Sequence, residues 1–569
     1  MARAGLADRF RLTGLAASRG FHRSLLRFYS SPLYRWRFSG AAPDRLLIAP
    51  QDIRTADPTV ASEIYAGTYS LAGCTIACKG GSPFEIPHAP PQWRDALHGF
   101  SWLRHLRAAN SSLARQHARA LVDEWIKVCG GYDRAAWRPR ITARRLISWL
   151  SHAPLILDHA PPAFYRRFLR SLSRQARFLY RTAPDSGESL PRLTAAVALT
   201  MAGLSMNGRE RLQRRATQWL EQELAAQILP DGGHVSRNPQ AIVEILLDLL
   251  PLAQLFNARD LAPPQALISA VDRMMPMLRF FRLGDGGLTR FNGASTARPD
   301  TIATLLAYDE ARGEPVVNAR HSGYARMFAG MTILVADTGG TPPHAASADA
   351  HAGPLSFEFS HGPNPIVVNC GAPVWRKSEW HAVCRATAAH STATLNDTSA
   401  CRFVRPGLVH NAVGALIMSG PSLRVADLQS DGYSQTLSMV HDGYAREFGI
   451  VHRRRIQLSG DGWQIAGEDL FKGRGDRPIP SRSADRFAIR FHLHPAVMAT
   501  LDEDGRSVLL ELPGSAPAWR FHADNADIAI EESVFLAGLD GPRRTEQIVL
   551  SGRCRLQPRV SWSFGITRA

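Results

Sequence analysis

The sequence predicts a chain that is helical in its first half and β in its second: a run of helix hairpins followed by a large antiparallel β-sandwich. Three observations predict it. At 569 residues the chain exceeds what one hydrophobic core serves. From about residue 91 to 312 its apolar positions recur at three and four, and from about 323 onward they alternate with a period of two.

Residues 1–90 read as an N-terminal arm and linker. Its first part carries arginines every few positions and never opens the apolar core of about 7 to 15 residues that a secretory signal needs. The sequence therefore shows no signal peptide and reads as cytoplasmic. An arm docked on the protein, a solvated one, or an amphipathic segment on a membrane surface all suit this composition. No stretch reaches about 18 uncharged apolar residues, so no membrane span is expected.

Helices are expected over 93–106, 113–128, 143–157, 164–180, 193–206, 209–229, 241–256 and 265–281, within a helical domain of 91–322. Their separators, among them Gly130-Gly131, Pro161-Pro162 and Pro230-Asp231-Gly232-Gly233, are helix-breaking sequences. Strands are expected over 327–337, 355–361, 365–369, 393–396, 412–418, 423–428, 454–458, 464–470, 487–492 and 508–512, within a β domain of 323–569. With no helical period between them, an antiparallel sandwich follows.

Composition bounds function. Hydrophobic residues make up 45% and charged residues 21%, which excludes general disorder, collagen and a disulfide scaffold. The net charge of +17 favours a polyanionic partner, yet no nucleic-acid-binding module is recognisable. Only four of the 67 basic residues are lysines, a skew that codon composition explains as readily as carboxylate recognition. Seven scattered cysteines suit a reducing compartment.

Four clusters carry chemistry. In Asp231-Gly-Gly-His234-Val-Ser-Arg237-Asn238-Pro239, Asn238 reads as an N-cap and Pro239 as the first helical residue, while His234 and Arg237 exceed what a cap requires and suit an anion. Asp349-Ala-His351 runs into an alternating strand, Val367-Val-Asn369-Cys-Gly371 ends one, and Arg385-Ala-Thr-Ala-Ala-His390 precedes another. Histidines and a short polar side chain at strand edges suit a metal or a substrate equally. Trp375, Arg376, Trp380 and Arg385 set aromatic planes beside guanidinium forks, an arrangement suited to an anionic glycan or to a loop with hydrophobic anchors.

These four motifs, in this order over about 91–452, resemble the heparinase II/III family of polysaccharide lyases. The resemblance implies an incomplete (α/α) toroid packed on a large antiparallel β-sandwich, with a substrate cleft between them. It implies β-elimination on an acidic, uronic-acid-containing polysaccharide, with no cofactor required. In that chemistry a donor neutralises the uronate carboxylate while a tyrosine or histidine removes the neighbouring proton. Carried onto this chain, Asn238, Arg237 and His234 occupy the neutralising loop. The tyrosine falls in a stretch offering Phe291, Asn292, Tyr308 and Tyr324, of which Tyr324 stands at the domain junction. Asp349 stands where the family commonly has a catalytic histidine, followed by His351. Some relatives bind zinc at places corresponding to His351, Asn369 and His390, where a neutral Asn369 replaces a carboxylate and weakens such a site. Family members usually work in the periplasm or cell envelope. Asp349 and Asn369 also motivate the alternative of a catalytically impaired glycan-binding or envelope-associated protein with the same fold.

Overall fold

The computed structural model describes residues 6–567 except 32–33, 35, 185–188, 309–314, 375–377, 406, 423 and 482–484. The helical half forms as the period of three and four requires. Helices Ser112–Val128, Pro139–Ser151, Pro162–Thr182, Ser189–Ser205, Glu210–Gln227, Pro239–Asn257 and Gln265–Phe280 enclose one continuous core. Ser189–Ser205 lies deepest, and its small residues admit close neighbours: a Cβ on Gly203 would stand 2.5 Å from Gln213 Cα on the adjacent helix. Pro239–Asn257 is long and apolar enough to cross a membrane, but most of it is buried inside this core.

Local chemistry sets the boundaries. The predicted helix 93–106 is two helices, Pro91–Gly99 and Leu103–Ala109, because Phe100 adopts a left-handed conformation (φ 58°) that ends the first. The N-terminal arm is docked. Helix Leu6–Ser30 contacts Leu408–Val413 of the β half, and Tyr29, Phe38, Ala61, Ile64 and Tyr69 enter the helical core.

The β half is a sandwich of two antiparallel sheets. One has eight strands in the order Arg424–Ser430, Ser434–His441, Ile450–Ser459, Gln464–Gly473, Arg559–Ile566, Trp519–Asp524, Ser507–Glu511 and Met498–Leu501. The other has nine: Asp527–Phe535, Arg543–Arg553, Arg486–Leu493, Asn364–Val368, Phe357–His361, Thr332–Asp337, Tyr324–Ala329 and Asn318–Ala319 in order, with Ala393–Leu395 paired to Arg486–Leu493. Alternating residues meet between the sheets, where the Phe357 and Trp562 rings stack at 5.5 Å.

In the β half two strand expectations are corrected. The stretch 327–337 is a hairpin, Tyr324–Ala329 and Thr332–Asp337, turning at Gly330 (φ 54°). The stretch 412–418 is the end of helix Leu408–Val413 followed by the short strand Ile417–Ser419.

One buried ion pair supports the loops above the sandwich. Arg454 donates to both oxygens of Asp469 (2.8 and 3.0 Å) and to the carbonyls of Leu355 (3.1 Å) and Ser391 (2.8 Å). His452 and Trp562 donate to the same carboxylate, at 2.6 and 2.8 Å. This fixes the stems of the segments that carry His351 and His390.

Candidate functional site: the cleft between helices and sandwich

A cleft of about 510 Å³ opens where four helices, Pro91–Gly99 among them with Asp95 and Ala96, face a loop of the β domain. Arg140, Ile141 and Arg144 come from Pro139–Ser151, Leu193, Thr194 and Val197 from Ser189–Ser205, and Ala241, Glu244, Ile245 and Asp248 from Pro239–Asn257. Each set is spaced at three and four and so forms one helical face. His234, Ser236 and Asn238 also line it, as do Asn292 and, from the β-domain loop, Ala345, Ala346, Ala348, Asp349 and Ala350.

Asn238 is the N-cap the sequence suggests: its Oδ1 accepts from Gln240 N (2.9 Å), and Pro239 follows at the first helical position. Its Nδ2 amide is left as a donor for the cleft. Asn238→Ala should lower stability by about 1 kcal/mol through loss of the cap, checked by chemical denaturation.

His234 is neutral and fixed. Ser236 N donates to its Nδ1 (3.2 Å), so the proton resides on Nε2, which donates to Gln227 Oε1 (3.0 Å). Burial pushes its pKa down to about 4. With both ring nitrogens occupied, His234 orders the loop.

Arg237 does not reach the cleft. It is nearly buried and joins the two domains: Nε donates to Ser322 O (2.7 Å), Nη2 to Gly323 O (2.8 Å) and Asp337 Oδ1 (2.5 Å), and Nη1 to Gly340 O. The guanidinium also covers the Tyr324 ring at 4.7 Å. A Cβ on Gly339 would stand 2.5 Å from Arg237 Nη2, so only glycine leaves room for this clamp. Asp231 adds a second tie, accepting from Ser322 N (2.7 Å) and Oγ (2.6 Å).

Tyr324 lies behind the cleft wall, 0% exposed. Its hydroxyl donates to Arg237 O (2.6 Å) and accepts from Asn292 Nδ2 (2.7 Å), and burial raises its pKa well above the ordinary tyrosine value. Tyr308 packs against the helical core and Phe291 is buried. Of the four residues in the stretch the resemblance points to, Asn292 alone lines the cleft, and among the described residues no tyrosine does.

Asp349 is a lining residue, with Oδ1 3.8 Å from His381 Nε2. His351, two positions on, turns into the β domain. His390 Nδ1 must donate to Ala386 O (2.8 Å), so its Nε2 accepts from His351 Nδ1 (3.1 Å). His351 Nε2 is then an unprotonated lone pair. Burial, reinforced by His390 and Arg385, keeps His351 neutral far below the usual imidazole pKa.

The three side chains named for zinc do not fit the ion. Asn369 Oδ1 accepts from Ser391 N (3.0 Å), its Nδ2 donates to Glu358 (3.1 Å), and the two histidines bond each other. Among the described residues no group of three His, Cys, Asp or Glu converges.

Arg385 braces the cleft wall, donating to Ala350 O (2.7 Å), Ser347 O (3.0 Å) and Ala415 O while packing on the Phe403 ring at 4.5 Å. Trp375 and Arg376 lie outside the described residues. Of the predicted residues, the structure thus brings Asn238, His234 and Asp349 to one cleft and places Arg237, Tyr324, His351 and Arg385 behind it.

The charged lining was not singled out from the sequence. The lining carries the carboxylates Asp95, Glu244, Asp248 and Asp349 and the guanidiniums Arg140 and Arg144. Arg144 grips both oxygens of Asp248 (2.8 and 2.9 Å), Arg54 adds a third bond at 2.6 Å, and Arg140 and Arg138 both pair with Asp95. A signal existed: Glu244 and Asp248, four apart, are the only charges in the helix Pro239–Asn257.

A helical domain, a sandwich and a cleft between them are the architecture of the solved heparinases. Heparinase III superposes with a TM-score of 0.70 over 96% of this chain and 90% of its own, at 13% identity. Heparan sulfate lyase HepC of Pedobacter heparinus, in a mutant form, gives 0.63 over 97% and 89%, at 16% identity. Residues 85–308 match the heparinase II/III N-terminus and residues 311–563 the heparinase II/III-like C-terminal domain. The chain belongs to the heparinase II/III-like family. It is also 33% identical over 551 residues, 95% of this chain and 93% of the relative, to FtsZ-localized protein C of Caulobacter vibrioides.

Proposed function

We propose that this chain is a glycan-binding member of its family that acts at the cell envelope without eliminating a uronate. The carrying observation is the cleft lining: it offers no tyrosine among the described residues, and both of its arginines are bonded to carboxylates. With Arg144 and Arg54 engaged by Asp248 and Arg140 and Arg138 by Asp95, no lining guanidinium among the described residues is left to neutralise a uronate, and the lining suits a neutral or amino-bearing glycan. Asn238 Nδ2 supplies a donor, and the apolar stripe Ile141, Leu193, Val197 and Ile245 supplies surface for sugar rings. The name of the Caulobacter relative supports a place at the division site, where wall glycan is remodelled.

A second reading, elimination with an imidazole base, requires the His351 ring to turn from behind the wall into the cleft beside Asp349, and is favoured by one observation, its unprotonated Nε2. One experiment separates the two. The full chain is incubated with heparosan, alginate and chitosan oligosaccharides, and both ultraviolet absorbance and retention on immobilised glycan are followed. The binding reading expects retention on chitosan, weakened by Asn238→Ala, with no absorbance rise on any glycan. An absorbance rise that His351→Ala abolishes overturns it in favour of the second.

A further inference from the structure

A second hollow, of about 190 Å³, lies between helices Pro162–Thr182 and Glu210–Gln227 and shares no lining residue with the cleft. Arg177, Arg209, Arg211 and Arg215 line it together with Ser173, Tyr180 and the apolar Ala176, Met206 and Leu212, and no carboxylate does.

Two of the four arginines are anchored. Arg177 donates to Phe38 O (3.0 Å) and Ala41 O (2.6 Å); Arg209 donates to Ala41 O and Ser173 Oγ (3.0 Å). These bonds go to neutral groups and leave the charges uncompensated. Arg209 Nε, shielded from solvent, has no partner. Burial and the neighbouring charge of Arg209 both push the Arg177 pKa below its usual value. Arg211 and Arg215, one helical turn apart, are exposed and have no hydrogen-bond or ion-pair partner among the described residues. Like charges at this spacing disfavour the helix that carries them, and an anion seated among the four guanidiniums would offset their mutual repulsion. Their planar forks match the oxygens of a phosphate, and the small, partly apolar hollow admits a compact head group.

We propose that this hollow binds a phosphoryl group, carried either by a soluble phosphate compound or by an anionic lipid head. The test is calorimetric titration of the full chain with pyrophosphate at low salt. The expected result is saturable binding that Arg211→Gln/Arg215→Gln weakens by about tenfold or more, and that the control Arg166→Gln/Arg170→Gln leaves within about twofold. The control removes the same charge from exposed positions outside the hollow. No saturable binding, or equal weakening by both variants, overturns the proposal. Thermal unfolding confirms that both variants fold, as expected for exposed positions. Sedimentation with phosphatidylglycerol vesicles separates the sources. Displacement from the vesicles by pyrophosphate identifies the lipid head, and pyrophosphate binding without sedimentation identifies a soluble phosphate.

Discussion

Arg237→Met should lower the stability of the folded chain by about 3 to 5 kcal/mol, read as a shift of the denaturant midpoint at unchanged slope. The variant leaves Asp337 buried without its cation and removes the donor to the carbonyls of Ser322, Gly323 and Gly340 at the domain junction. An uncompensated buried carboxylate accounts for most of the loss. The double variant Arg237→Met/Asp337→Leu should therefore be less destabilised than the sum of its single variants, since the second change removes the orphaned charge. Equal additivity would show that the pair acts independently and that the clamp description is wrong.

The second large effect is acid sensitivity. Burial drives the pKa of His234 and His390 down to about 4 and that of His492 to about 3, from an ordinary 6.5. Each stays neutral in the folded chain while the unfolded chain takes up a proton below 6.5. Their contribution is complete above pH 6.5 and is lost as the pH falls towards 4, at a rate of about 1.4 kcal/mol per pH unit and per histidine. By pH 5 the three together should lower stability by about 6 kcal/mol. His351 and His441, held neutral by burial, act in the same direction. Below pH 4 a further loss follows from Asp469, whose carboxyl is held below the usual range by Arg454 and His452 against the opposing effect of burial. Denaturation midpoints between pH 7.5 and 5 check this. A flat profile would mean these histidines are charged in the fold.

Much of the fold was legible because its signals are local. Asn238-Pro239 marks a helix start by cap chemistry alone, and Gln464–Gly473 alternates cleanly because one of its faces meets the opposite sheet. The hairpin at Gly330 was hidden because Met327 to Ala336 is apolar on both sides of the turn, so no polar break marks it. The sequence leaves open whether the N-terminal arm docks, because the order of helix Leu6–Ser30 comes from residues far along the chain, as in the Arg19 bond to Val413 O.

The site was legible in part for the same reason. A loop containing His234, Arg237 and Asn238 is visible as a polar cluster, but which of them faces the cleft depends on distant partners. Arg237 is turned inward by Asp337, one hundred positions later, and Tyr324 by Asn292 and the Arg237 carbonyl. The paired Arg144 and Asp248 stand on helices separated by more than one hundred positions, so their convergence exists only in the folded chain.

The bracing of residues 347–350 by Arg385 has a consequence for recognition. Because one guanidinium ties that wall to three backbone carbonyls, including Ala415 in a separate segment, the aperture is set before any sugar arrives. Selection at such a preorganised slot falls on the shape and charge the guest already has, and little ordering entropy is lost when it enters.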